Sequence, residues 1–359
     1  MKTLRVILPP LIVAMTAAIY GCGETPSAPS PSPSFHLAPP APITAPIRIT
    51  TPTYDGSGHA VHPDIIEFDS LWNDFRCWML VTPYNDRDGA YIENPSLLVS
   101  NDSECIEGWI PRPGAPSPLV TIRRGAIHNS DNDFYFDRLR GMIVISWREV
   151  TSDSNIIWTI ESGDGIEFSE PRRSFARRAH YAVSQAAVVT PTISGGLRPR
   201  MWYVGSNAGC NSSLTSVMTM GAWGLNGLGN GLSGAAWGRP VLTDLSQPSY
   251  VIWHPDMGFI PELNLYVSIY AAYPNGMDCA STDLFLATSE DGIRWNTFSE
   301  PILRKGFADW AEREVYRATF TYRNGNLKIW FSAYGRDEWG IGYTAYNMSA
   351  LIAALERSN

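Results

Sequence analysis

The sequence predicts an all-β fold, a five-bladed β-propeller of four-stranded antiparallel blades, and three observations carry that expectation. From Ile47 onward helical periodicity is nearly absent, and short alternating or apolar runs dominate, such as Trp78 to Val81, Ile143 to Trp147, Leu265 to Tyr270 and Leu327 to Ala333. Turn dipeptides stand between such runs, among them Asp164-Gly165, Asp291-Gly292 and Asn324-Gly325, and supply the positive φ that tight hairpins need. A polar opener also precedes the first run of each repeat. It reads His62-Pro63-Asp64, then His128 to Asp137, then His254-Pro255-Asp256, with weaker echoes at Ser184-Gln185-Ala186 and Tyr316-Arg317-Ala318. These openers recur at roughly sixty residues, a little above the ~40–50 of common propeller repeats, so about five blades fit.

The chain has 359 residues, 44% hydrophobic and 17% charged, with a net charge of −8. That composition suits a large packed core, and the acidic balance argues against nucleic-acid partners, which require a positive surface. In chain order, residues 1–21 read as a signal peptide. Lys2 and Arg5 form its charged start, Val6 to Ile19 its apolar run, and Gly21-Cys22 its junction. The segment resembles a bacterial lipoprotein signal, which implies lipidation of Cys22, export, and anchoring to a membrane on the cell surface or periplasmic face. Residues 22–46, rich in Pro and Ser, form a disordered linker that buries too little to order itself. The propeller domain is expected over 47–359, ending in a short helix from Ser349 to Glu356.

Beyond Cys22 four cysteines remain, and an oxidising compartment favours pairing. Three connectivities exist. Strand order favours Cys77 with Cys105 and Cys210 with Cys279. Turns of the form Ser162-Gly163-Asp164-Gly165 and Ser289-Glu290-Asp291-Gly292, followed by Phe168 and Trp295, resemble the Asp-box hairpin of sialidases and other propellers. There the Asp accepts backbone N–H bonds and the aromatic plugs into the blade, a structural role.

In a propeller the first strand of each blade is innermost, so the openers ring one mouth of the channel. Asp64, Asp131, Asp133 and Asp256 would converge there with His62, His254 and Arg317. Loops between second and third strands would add Asp86-Arg87-Asp88, Glu93-Asn94 and Trp147-Arg148-Glu149. Paired carboxylates in one cavity can divide into an acid and a base, as glycoside hydrolysis requires. No tight metal-ligand spacing is present, so no cofactor is expected, although the ring of openers leaves room for a structural cation in the central channel.

His62-Pro63-Asp64-Ile65-Ile66, Glu93-Asn94-Pro95-Ser96, Asp131-Asn132-Asp133-Phe134, Trp253-His254-Pro255-Asp256 and Tyr316-Arg317 are together similar to the five-bladed propellers of glycoside hydrolase family 43 and its family 32 relatives. The resemblance implies a base in the first blade, a pKa-tuning Asp in the second and a Glu acid in the third. The second falls on Asp131. The first falls on His62, with Asp64 two places on, and the third near Val183-Ser184, where no Glu stands. The expected catalytic set is therefore Asp64 or Asp256 as base, Asp131 as tuner and Glu149 as acid. Substrate would be held by His62, Glu93, Asn94, Asp133, Trp147, Arg148, His254 and Arg317. The function expected is a surface-anchored glycoside hydrolase acting on polysaccharide or oligosaccharide, releasing arabinose- or xylose-type sugars. A non-catalytic carbohydrate-binding or adhesion lipoprotein is the alternative. A sialidase-like enzyme built on Arg148, Arg317 and Tyr316 is a third reading.

Overall fold

The computed structural model describes residues 38–357, except 86–87, 139, 179–181, 190–199, 207–215, 224–235, 238, 278 and 280. The predicted signal peptide, Cys22 and most of the linker lie outside the described residues, as does Cys210. The first strand, β1 (Thr44–Ile49), begins inside the stretch assigned to the linker. It pairs antiparallel with the last strand of the chain, and Ile43 N–H donates to the Ala345 carbonyl at 2.8 Å. A partner edge thus orders a segment whose own composition would leave it extended.

The sheets then follow the chain. The first holds β2 (Ala60–Trp72), β3 (Phe75–Pro83), β4 (Ser96–Ser100) and β5 (Ile110–Pro111). The second holds β6 (Ala126–Asp137), β7 (Met142–Thr151), β8 (Ser154–Ser162) and β9 (Arg172–Arg178). The third is β10 (Ala182–Val189), β11 (Arg200–Ser206), β12 (Ser216–Trp223) and β13 (Ala236–Trp237), with β14 (Val241–Leu242) also pairing β12. The fourth runs β15 (Tyr250–Ile260), β16 (Leu265–Pro274), β17 (Asp283–Ser289) and β18 (Asn296–Thr297). The last combines β19 (Glu314–Arg323), β20 (Asn326–Gly335) and β21 (Glu338–Asn347) with β1 as its outer strand, and helix α1 (Met348–Glu356) follows. The first strands neighbour one another in a closed ring, β2 on β6, β6 on β10, β10 on β15, β15 on β19 and β19 on β2. The architecture is an all-β propeller.

The expectation of uniform blades is corrected. Four sheets are four-stranded blades, whereas the sheet opened by β10 has five strands because β12 takes two short partners. Among the described residues no helix is long and apolar enough to cross a membrane.

Core packing repeats with the blades. Trp78 of β3, Trp202 of β11 and Trp330 of β20 are completely buried. The Asp-box turns explain how two of these indoles are seated. Asp164 Oδ1 accepts the N–H groups of Ile166 and Glu167 at 2.8 and 3.0 Å, and Asp291 Oδ1 accepts those of Ile293 and Arg294 at 2.8 Å each. This holds Gly165 and Gly292 at positive φ, against Trp78 and Trp202 respectively. Cys77 and Cys105 are disulfide-bonded across 28 residues, as strand order predicts. Cys279 is disulfide-bonded as well. Helix α1 starts on Asn347, whose side chain accepts the Ala350 N–H at 2.9 Å.

At Gly165 a Cβ would come within 2.3 Å of the Trp78 ring, and φ is +72°. Gly165→Ala should therefore cost roughly 2–4 kcal/mol in thermal or urea unfolding. Gly163→Ala, where nothing lies within 4 Å of the new Cβ, should be close to neutral in the same measurement.

Candidate active site at the propeller mouth

Every first strand breaks register at its opener, and β2 and β6 slip at a second place as well. The pairing slips between Val61 and Asp64, Ser130 and Asp133, Ser184 and Ala186, Ile252 and Pro255, and Val315 and Ala318. A β-bulge leaves residues unpaired and re-aims their side chains. Four of these slips release His62-Pro63, Asp131-Asn132, Trp253-His254 and Tyr316-Arg317. His62 and Asp131 themselves adopt φ of 54° and 50°, a conformation non-glycine residues hold only where surrounding structure enforces it. The openers seen in the sequence are these bulges.

Their side chains meet at a cavity of about 310 Å³. His62, Glu93, His128, Asp131, Arg148 and His254 give it a polar wall, while Tyr84, Trp253, Tyr316 and Trp339 supply aromatic faces. Arg148 Nε lies 2.8 Å from Asp131 Oδ2, and Arg148 also donates to Ser130 Oγ from Nε and Nη2 at 3.0 and 2.9 Å. Asp131 Oδ1 faces two imidazoles, His254 Nδ1 at 3.4 Å and His62 Nε2 at 3.8 Å. The other nitrogen of His62 is 3.7 Å from Glu93 Oε2. Asp131 Oδ1 and His254 Nδ1 are both buried and neither makes a hydrogen bond.

The electrostatics separate the two carboxyls. Burial, reinforced by the Asp131 charge, pushes Glu93 well above the usual carboxylate range. Burial opposes ionisation of Asp131 too, but Arg148, with lesser help from the histidines and Arg317, outweighs it and holds that carboxyl low. Burial also lowers the histidines, His62 well below its ordinary value, His254 to about 3 and His128 to about 4, so these imidazoles are neutral near pH 7.

Deeper in the channel stands a second group. Asp64, Asp133 and Asp256 are buried, with one oxygen of each lying within 4.8 Å of the others. None lines the cavity. Asp64 accepts the backbone N–H groups of Ile65 (2.8 Å) and Phe134 (2.7 Å) and the Thr319 hydroxyl (2.9 Å), and Asp256 accepts that of Met257 at 2.9 Å. Arg317, 1% exposed, donates to the Asn132 carbonyl and carries its charge between the two groups.

Several expectations are thereby corrected. Asp64 and Asp256 are tied to strand amides below the cavity, as is Asp133 to that deeper group, so none is in position to act as base or to bind sugar there. Glu149 points away from the cavity, because it alternates with Arg148 along β7. Arg123 clamps it with two 2.7 Å bonds and the Trp158 indole donates to it at 3.1 Å. Trp147 is buried in the core with Trp78 and Phe134. Asn94 is occupied by Tyr54 and Asn129, and Arg317 lies beneath the cavity wall. The structure does bring together His62, Glu93, Asp131, Arg148 and His254. The sequence reading passed over His128, Tyr84, Glu314 and Trp339. Of these only His128 carries a local signal, three places before Asp131 in the same opener. Asp86 and Arg87 lie outside the described residues.

The ring of blades is a fold shared with carbohydrate-processing propellers. A thermostable family-43 glycoside hydrolase superposes with a TM-score of 0.53 at 14% identity, over 80% of this chain and 88% of that one. A nearer likeness is the N-acetylgalactosamine deacetylase of F. plautii, solved in complex with blood group B trisaccharide. Its TM-score is 0.75 at 20% identity, over 87% of this chain and 97% of that chain. Among curated sequences, the A type blood N-acetyl-α-D-galactosamine deacetylase of Flavonifractor plautii is 23% identical over 334 residues, 79% of this chain. The chain spans about two fifths of that relative's length (42%). No protein-family profile matches the chain.

Burial raises Asp64 to about 6 and, with the Asp64 charge beside it, pushes Asp256 well up. A carboxyl whose folded pKa exceeds its unfolded value binds more protons when native, so Asp64 weakens the fold as pH rises through about 4 to 6, and Asp256 weakens it as pH rises from the ordinary carboxylate range upward. The cost persists above that window. Asp256→Asn should therefore raise the melting temperature more at pH 7.5 than at pH 4.5, read by thermal unfolding at both values.

Proposed function

We propose that this chain is a carbohydrate-active hydrolase that removes the acyl group from an N-acylated amino sugar at the end of an oligosaccharide. The observation that carries the reading is the pair of orphaned atoms, Asp131 Oδ1 and His254 Nδ1, which face each other 3.4 Å apart in a sugar-sized aromatic cavity. Two donors on one tetrahedral ion with ~2.1 Å bonds stand about that far apart. Two lone-pair atoms with no proton between them repel unless a cation is shared, and neutral imidazole with carboxylate is a borderline-metal donor set. Asp131 and His254 would hold a divalent cation, with His62 and Glu93 beside them. When bound, such an ion polarises a carbonyl oxygen and acidifies water.

The chain's own groups supply the rest. Arg148 occupies the second oxygen of Asp131 and fixes the direction in which Oδ1 faces. Glu93 is the proton carrier, taking a proton from the attacking water and returning it to the departing amine. The acyl carbon gains the hydroxyl, its bond to nitrogen breaks, and the free amino sugar leaves with that proton. Tyr84, Trp253 and Trp339 offer apolar faces to a pyranose ring. The likeness to the deacetylase supports the same substrate class.

A second reading, glycoside cleavage of arabinose- or xylose-type sugars, is favoured by one observation. Glu93 and Asp131 are neighbouring carboxyls whose surroundings push them in opposite directions, the division of labour that glycosidases need. We also infer export and anchoring through Cys22, so Cys22→Ser should move the protein from the membrane fraction to the soluble fraction.

Incubating the purified chain and Mn²⁺ or Zn²⁺ with oligosaccharides ending in N-acetylgalactosamine or N-acetylglucosamine should release acetate, and EDTA should stop it. Asp131→Asn should lower kcat/KM by about 10³-fold or more, the loss of a transition-state contact. Release of free sugar from aryl arabinosides or xylosides, without acetate from the amino sugars, would favour the second reading. Binding without turnover on any of these would favour a carbohydrate-binding module.

A further inference from the structure

Tyr316 lines the cavity, and its phenol oxygen joins two residues of the neighbouring opener. Trp253 Nε1 donates to it at 3.3 Å, and the same oxygen is hydrogen-bonded to His254 Nε2. The Tyr316 and His254 rings meet edge-on with centroids 4.6 Å apart, and Trp339 closes the far side of the phenol at 5.7 Å. These contacts leave the hydroxyl little choice of position.

An indole nitrogen only donates, so Trp253 takes one acceptor position of the phenol oxygen. A neutral imidazole has a single N–H, so the nitrogen that bonds Tyr316 decides what the other can do. The other is Nδ1, which faces Asp131 Oδ1. A proton on Nδ1 beside an ionised carboxylate would draw the two into a bond of 2.7–2.9 Å, yet they stand 3.4 Å apart and unbonded. The proton therefore belongs on Nε2, donated to the phenol oxygen, and the Nδ1 lone pair is directed into the site. We infer that Tyr316 is a positioning residue that, braced by Trp253, fixes His254 as the Nε2–H tautomer and leaves Nδ1 free as a donor to a divalent cation. The cation in this inference rests on the function proposed above; the tautomer does not. With its oxygen accepting from two N–H groups, the phenol keeps its own O–H to turn toward the cavity and a substrate oxygen.

The test pairs a spectroscopic signature with ion binding, both on the full chain. Long-range ¹H–¹⁵N spectra of histidine-labelled protein, with the His254 signals identified by their loss in His254→Gln, should show the proton on Nε2. In Tyr316→Phe, which keeps the ring, the Nδ1–H form should appear. Calorimetric affinity for Mn²⁺ or Zn²⁺ should fall 10- to 100-fold, as when other outer partners of metal-bound histidines are removed. Trp253→Phe should shift both readouts in the same direction by less, and serves if Tyr316→Phe does not fold. A wild-type His254 protonated on Nδ1 overturns the proposal, as does a Tyr316→Phe protein with unchanged tautomer and unchanged affinity. A wild-type chain that binds neither ion while its tautomer still follows Tyr316 supports the positioning role and removes the cation reading alone.

Discussion

The site depends on a slip in strand pairing that recurs in each innermost strand. Where β2, β6, β15 and β19 lose register, two residues drop out of the ladder, and those residues are His62-Pro63, Asp131-Asn132, Trp253-His254 and Tyr316-Arg317. A regular strand sends alternate side chains to opposite faces and so into the packed walls between blades. Only a bulge turns them along the propeller axis, where strands from different blades are close enough for their side chains to meet. His62 and Asp131 accept the strain of positive φ to do so. Pro63 fits this arrangement because a residue outside the ladder loses nothing by lacking an N–H.

The bulge also divides the channel into two levels. Residues within it, His62, Asp131 and His254, reach the cavity. Residues two places further on, Asp64, Asp133 and Asp256, are back in register and point into the closed part of the channel, where Asp64 and Asp256 satisfy strand amides. Five carboxyls, counting Glu93, are thus buried with the cations of Arg148 and Arg317. Arg148 is committed to Asp131. Arg317 lies within electrostatic reach of both levels and lowers the charging cost of Asp64, Asp256, Asp131 and Glu93 together. Burial, reinforced by the remaining excess of negative charge, pushes Asp256 and Glu93 up, and that excess makes the mouth of this propeller a place that draws protons or cations.

What the sequence revealed and what it hid follow from the same geometry. The openers were legible because chemistry-bearing residues recur at one position of each repeat, and recurrence survives ignorance of the fold. The phase within each opener was not. Choosing Asp64 over His62 as the acting residue, or Glu149 over Arg148, requires knowing where the bulge falls, and a shift of one residue exchanges the two faces of a strand. Trp147 was misplaced for that reason and belongs to the core beside Trp78. Tyr84, Glu314 and Trp339 lie outside the openers, and only the closing of the ring, with β1 completing the last sheet, brings them to the cavity.

The arrangement also bears on which bond such a mouth can break. An inverting glycosidase needs two carboxyls on opposite sides of the sugar, about 6.5–9.5 Å apart, with room for water between. The third-blade position that resemblance would fill with an acid is occupied by Val183 and Ser184, and the substitute expected at Glu149 is spent on Arg123 and Trp158. What this chain has instead is one ionised carboxylate flanked by neutral imidazoles, one carboxyl that burial shifts toward holding a proton more readily, and an aromatic enclosure about the size of a single sugar. Concentrating nitrogen and oxygen donors on one point favours attack at a carbonyl, where one centre must polarise the oxygen and present the nucleophile, over displacement at an anomeric carbon, where the two duties must be held apart.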